Sequence, residues 1–151
     1  MQPSYRFATP EDQAVVVQML HELVVELGPA EGADRLRSRL DDDIRVALTS
    51  PNVCIILAVI EGEPVGLGRA DILFADPIFR LRDDNRCGYI DQMYVRPAYR
   101  NQGVGRELLE RCEDWLRGRG LGHVLLHAAP RAIHFYEREG YLPNREMFKR
   151  L

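Results

Sequence analysis

The chain is poor in lysine, cysteine and long apolar runs. Lys149 is the only lysine, and every other basic side chain is arginine. That bias can follow from genome composition and says nothing about function. The three cysteines, Cys54, Cys87 and Cys112, are odd in number and far apart, so no zinc or redox spacing exists. They read as reduced thiols of a cytoplasmic protein. The longest apolar run, "VCIILAVI" over residues 53–60, is too short to span a bilayer and suits a buried strand. The start, "MQPSYRFATP", lacks an apolar h-region, so no secretion signal is expected. A net charge of -3 lacks the basic excess that bulk nucleic-acid binding usually needs. What is present is ordinary: 151 residues, 46% hydrophobic and 28% charged, enough for one globular domain over residues 1–151.

The order of elements follows from periodicity and punctuation. "SYRFA" (4–8) predicts a short strand. "TPED" offers Thr9 as a cap, Pro10 at the first helical position and acids in the first turn. Val15, Met19, Leu20, Leu23, Val24 and Leu27 then recur at helical spacing, and Gly28 and Pro29 end that helix. Leu36, Leu40, Ile44 and Leu48 form the stripe of a weaker helix over 33–48. Residues 52–60 and 65–74 predict two strands joined by a turn at "EGEP". Residues 75–88 form a polar connection of the kind that often shapes a binding site. "YIDQMYV" (89–95) predicts a fourth strand that ends before Pro97. A helix with Val104, Leu108, Leu109, Cys112, Trp115 and Leu116 on its stripe follows. Residues 123–129 predict a fifth strand, residues 130–139 a helix, and "GYLPNREMFKRL" a last strand. The order β-α-α-β-β-β-α-β-α-β describes one α/β domain with a mixed, mostly antiparallel sheet.

The segment "RNQGVGRELL" (100–109) carries the chemistry. Gly103 and Gly105 stand where a helix begins, flanked by Arg100 and Arg106. A helix N-terminus offers unpaired amides and a positive dipole end. Without a Cβ the backbone can approach an anion closely, and a pyrophosphate suits converging amides. No Walker A segment exists. A dinucleotide fingerprint needs a third glycine where Leu108 stands, and this loop follows the fourth strand rather than the first.

"YVRPAYRNQGVG" and the later "HAAPRAIHFYEREGY" together resemble the GNAT superfamily of N-acetyltransferases. The likeness covers most of the chain, with two helices between the first two strands. Ala132 to Glu137 matches a recurring A-x-x-F-Y-E pattern, while Ala129 replaces an asparagine common in the superfamily. The resemblance implies an acetyl-CoA-dependent N-acetyltransferase, without metal, acting on a small-molecule amine or a peptide or protein amine by direct attack. It implies no nucleic acid or membrane partner, and it leaves homodimers open. It also leaves open a module that binds or senses acyl-CoA without turnover.

The same resemblance assigns roles. The fourth strand should bulge and splay from the fifth. The backbone of Met93, Tyr94 and Val95 would bond pantetheine, with the Met93 N–H as oxyanion donor. Arg100, Asn101, Gln102, Gly103, Val104, Gly105 and Arg106 would hold the pyrophosphate, largely through backbone amides. Tyr136 would protonate the departing thiolate, since a phenol is a neutral donor. Asp91 would take the amine's proton through water or anchor the amine. On an ideal strand Asp91 and Met93 share a face. Other residues read more plainly: His127 and His134 as core or surface, Asp41 to Asp43 as a solvated helix face, Trp115 and Cys112 as core.

Overall fold

The computed structural model describes residues 2–28, 33–74, 85–144 and 147–151. Five strands form one sheet in the order β1-β2-β3-β4-β5. They are β1 (Ser4–Phe7), β2 (Val53–Ile60), β3 (Glu63–Leu73), β4 (Cys87–Val95) and β5 (Val124–Leu126). Each of the first four is antiparallel to its neighbour among them, and β5 runs parallel to β4. The helices are α1 (Gln13–Leu27), α2 (Ala33–Ala47), α3 (Val104–Gly118) and α4 (Ile133–Arg138). This is the mixed α/β architecture expected from the sequence.

The apolar run of β2 is buried on both faces, which explains its lack of alternation. Ile56 and Ala58 face α3, where Val104, Leu108, Leu109, Cys112 and Leu116 are buried. Ile55 and Leu57 face α1 and α2, where Val16, Met19, Leu20, Leu40 and Ile44 are buried. The helices thus cover opposite sides of one sheet. Trp115 packs half-buried against the α3 side. The turn between β2 and β3 is shorter than "EGEP". Ile60 pairs directly with Glu63, and Glu61 and Gly62 both take positive φ (51° and 85°), as a tight two-residue hairpin requires.

The local signals act as expected near residue 9. The Thr9 amide donates to Asp12 Oδ2 at 2.8 Å, and Pro10–Asp12 form a 3-10 turn leading into α1. Elsewhere the boundaries differ. β4 begins at Cys87, and β5 keeps only three residues of the expected 123–129. The closing strand is absent from the described residues of the tail. Pro143 has no N–H for a ladder. Leu142, Met147, Phe148 and Leu151 are exposed, so no buried face fixes a register. Residues 75–84, Pro29 and the Leu36 side chain, all assigned from sequence, lie outside the described residues.

Candidate active site

One extra residue in β4 organises the site. β3 and β4 pair as Arg69↔Gln92 and Ala70↔Ile90, so Asp91 has no partner across the ladder. Such a bulge leaves one residue unpaired and bends its strand. Beyond it the strands part. β5 pairs with β4 from Gly88 to Ile90 and no further. Residues 92–95 are therefore paired with a strand on one edge only.

The free edge has a definite polarity. The Arg96 amide donates to the Val65 carbonyl at 2.9 Å. Antiparallel alternation then turns the amides of Gln92 and Tyr94 toward β3 and those of Met93 and Val95 away from it. The Met93 N–H thus points into the gap between β4 and β5. Tyr94, expected to offer its backbone, directs it to β3 instead. Its side chain is buried against α1 and donates to Glu22 at 3.1 Å.

At the far end of this edge stands the glycine loop. Asn101 and Gly103 both take positive φ (60° and 84°), so the chain reverses before α3. Glu107 makes the helix's first i→i−4 bond, to the Gly103 carbonyl at 3.1 Å. The amides of Val104, Gly105 and Arg106 precede any such acceptor. Outside its own stretch of helix, an ideal Cβ on Gly105 would come no closer than 3.7 Å to its surroundings, at Phe135. Nothing in the chain's own packing requires glycine there, and its missing side chain leaves the cleft open.

That cleft, of about 510 Å³, is lined by Met93, Tyr94, Val95, Arg100, Asn101, Gly103, Gly105, Arg106 and Tyr136, all singled out from sequence. Gln102 and Val104 do not line it. Gln102 donates to the Ala98 carbonyl at 3.2 Å, and Val104 is buried in the core. Arg100 is committed elsewhere as a side chain: its Nε donates to the Val95 carbonyl at 2.7 Å and its Nη2 to Glu26 at 2.8 Å. Leu23, Arg131, Ala132, Phe135, Arg138 and Glu139 complete the lining and were not identified from sequence. The A-x-x-F-Y-E segment places two of them, Ala132 and Phe135, and α4 also supplies Arg138, so it carries more of the site than Tyr136 alone.

Tyr136 stacks edge-on against Phe135 and Tyr141. Its hydroxyl has no hydrogen-bond partner among the described residues, and burial, helped by Cys112, pushes its pKa up to about 12. The phenol stays protonated and available as a donor. It also lines a second cavity, of about 670 Å³, on the open side of β5.

Asp91 does not line the cleft. The bulge breaks strand parity, so Asp91 and Met93 do not share a face, contrary to the ideal-strand expectation. Met93 packs on the α3 side. Asp91 lies 3.3 Å from Arg69, on the side of α2. Arg69 is 6% exposed and was not noticed in the sequence. It donates to Asp71 at 2.8 and 2.9 Å and to Asp43 at 2.7 Å. Asp43, expected as part of a solvated face, is thus a partner of a buried cation. Burial disfavours the Arg69 charge, but the carboxylates outweigh it. Burial pushes the Asp91 carboxyl above its ordinary pKa against the pull of Arg69, and Asp71 and Asp43 add to the rise.

His127 and His134 are exposed: His134 Nδ1 meets Glu137 at 3.0 Å and His127 Nδ1 meets the Tyr89 hydroxyl at 2.5 Å. No cluster of metal-ligating side chains exists among the described residues.

The acetyltransferase (GNAT) family model matches residues 17–141. An IAA acetyltransferase of Azospirillum brasilense is 32% identical over 85% of this chain and 78% of its own. An aminoglycoside N(6')-acetyltransferase type 1 of Stenotrophomonas maltophilia is 29% identical over 91% of this chain and 88% of its own. Among solved structures, a Clostridium acetobutylicum protein crystallised with acetyl-CoA superposes with a TM-score of 0.89 at 19% identity, covering 99% of this chain and 96% of that one.

Proposed function

The chain belongs to the GNAT acetyltransferase family and is an N-acetyltransferase, and from that premise we propose that it moves an acetyl group from acetyl-CoA to a primary amine. The amine nitrogen bonds to the acetyl carbon, the carbon–sulfur bond breaks, and the sulfur leaves as thiolate. One observation carries the reading. A strand edge freed by the Asp91 bulge opens into the same cleft as the Gly103–Gly105 helix start. Anion-binding amides lie at one end and an outward N–H at the other, as a phosphate-bearing thioester requires.

Each residue has a separate task. The amides of Val104, Gly105 and Arg106 face the diphosphate. The Met93 N–H donates to the acetyl oxygen as negative charge develops there. Tyr136 gives its proton to the departing sulfur. Asp91, on the α2 side of the sheet, attracts the ammonium group and accepts its proton through water. Its raised pKa makes it a stronger base than an ordinary carboxylate. Acceptor and donor then approach from opposite faces of the sheet and meet in the gap between β4 and β5. The donor and acceptor classes are supported by the relatives above, among them an aminoglycoside acetyltransferase. A cytoplasmic place is the reading of three widely spaced cysteines, all of them buried. No described helix is long and apolar enough to cross a membrane.

A thiol-release assay with acetyl-CoA across a broad amine library tests the proposal. Amine-dependent release supports it. Tight acetyl-CoA binding without release for any amine would favour the sensing module instead.

A further inference from the structure

β4 and β5 part after Ile90 and Leu126, yet a single carboxylate near the end of α1 holds the chain beyond both. Glu26 accepts two bonds from Arg100, at 2.8 and 2.9 Å, and one from Arg131 at 2.5 Å. Arg100 follows β4 and Arg131 follows β5. Glu26 therefore bridges the two walls of the cleft. Burial disfavours its charge, but the two guanidiniums outweigh it and hold its carboxyl below the usual range.

The two arginines are not equivalent. Arg100 is also fastened to the Val95 carbonyl and lies 5.6 Å from the Tyr94 ring centroid. Arg131 has Glu26 as its one hydrogen-bonded partner among the described residues, its side chain is 49% exposed, and it lines the cleft with Gly103, Gly105 and Arg106. When Arg131 leaves, Glu26 keeps a two-bond pair with Arg100. A diphosphate offers a guanidinium more charge and more acceptor oxygens than half of one carboxylate.

We propose that Arg131 exchanges partners: Glu26 holds it across the cleft in the free protein, and on binding it moves to a phosphate of the donor. The inference rests on acetyl-CoA as donor. Glu26 is then a latch, and Arg131 a phosphate-binding residue.

Calorimetry of wild type, Arg131→Ala and Arg131→Gln with acetyl-CoA and with S-acetylpantetheine, which has no phosphate, tests the first half. Both variants should bind acetyl-CoA about tenfold more weakly, as expected for one lost charge-assisted contact. Their affinity for S-acetylpantetheine should match wild type, which also shows that the cleft is intact. Equal affinity of wild type and variants for acetyl-CoA overturns the inference alone. A wild type that binds no acetyl-CoA overturns the donor reading and the inference with it. Stopped-flow association of acetyl-CoA with Glu26→Gln tests the latch. Association should be faster than in wild type, and an unchanged or slower rate overturns the latch.

Discussion

Asp91 sits in the β4 bulge opposite Arg69, 3.3 Å from its Nε, in a cluster that also contains Asp71 and Asp43. Asp91→Asn separates catalysis from stability there. A carboxyl with a raised folded pKa binds more protons folded than unfolded, so its contribution to stability falls as pH rises through both values. At neutral pH its charge is unfavourable to the fold. Asp91→Asn should therefore leave the melting temperature at pH 7 unchanged or higher, because Arg69 retains Asp71 and Asp43. Its kcat should fall and recover partly at high pH, where more of the amine is already neutral. A raised KM with wild-type kcat would make Asp91 an anchor, and a lower melting temperature with normal kinetics would make it structural.

Tyr136→Phe should lower kcat by about 10²–10⁴-fold if proton transfer to sulfur limits turnover. Acetyl-CoA affinity should stay near wild type. Because burial pushes the phenol up to about 12, no loss of activity in mildly alkaline buffer should depend on residue 136. Pre-steady-state rates for both proteins decide this, and equal chemical rates would reduce Tyr136 to a packing residue.

The cysteines should be silent in the native protein. Burial pushes Cys54 up to about 12 and Cys112 higher still, and Cys87 is also buried. A disulfide reagent should titrate almost no thiol in buffer and three equivalents in denaturant. Rapid native reaction would show that the sheet opens around Cys54 or Cys112.

Acid sensitivity should have a component at Asp12. Hydrogen bonds from Arg6 at 2.7 and 2.8 Å, opposed by burial and aided by the Thr9 amide, hold its pKa at about 2. A depressed carboxyl stabilises above its unfolded pKa and loses that contribution as pH falls through the folded value. Arg6 is half exposed, so about 1 kcal/mol is the scale after solvent screening. Asp12→Asn should lose about that much at pH 7 and much less at pH 2, where the folded carboxyl is already about half protonated. A constant difference at both pH values would assign the loss to the cap geometry instead.

Much of this was legible in the sequence because its signals are local. Gly103 and Gly105 before the Val104–Leu116 stripe mark the loop, and the uninterrupted run at 53–60 marks the strand buried on both faces. The resemblance implied a bulge in the fourth strand, and β4 has one, but its position at Asp91 was not legible. Inserting one residue at Asp91 leaves no compositional trace, yet it reverses which face each neighbour takes. The Arg69 cluster joins residues 43, 69, 71 and 91, and the Glu26 bridge joins residues 26, 100 and 131, so only tertiary packing reveals either. The tail pattern at 140–151 reads as a strand because sequence cannot show that Leu142, Met147, Phe148 and Leu151 stay exposed.

The central claim is that acetyl-CoA lies with its diphosphate on the helix start at Gly103–Gly105. Gly105→Val tests it directly. Its Cβ would meet Phe135 at 3.7 Å and Val95 at 3.8 Å, both ordinary contacts, so the fold should survive while a branched side chain fills the approach to the amides. Titration calorimetry of folded wild type and variant with acetyl-CoA is the measurement. The account predicts binding to wild type and at least about a tenfold loss in the variant, the scale of one displaced phosphate contact. Equal affinity in a variant with wild-type circular dichroism would contradict it.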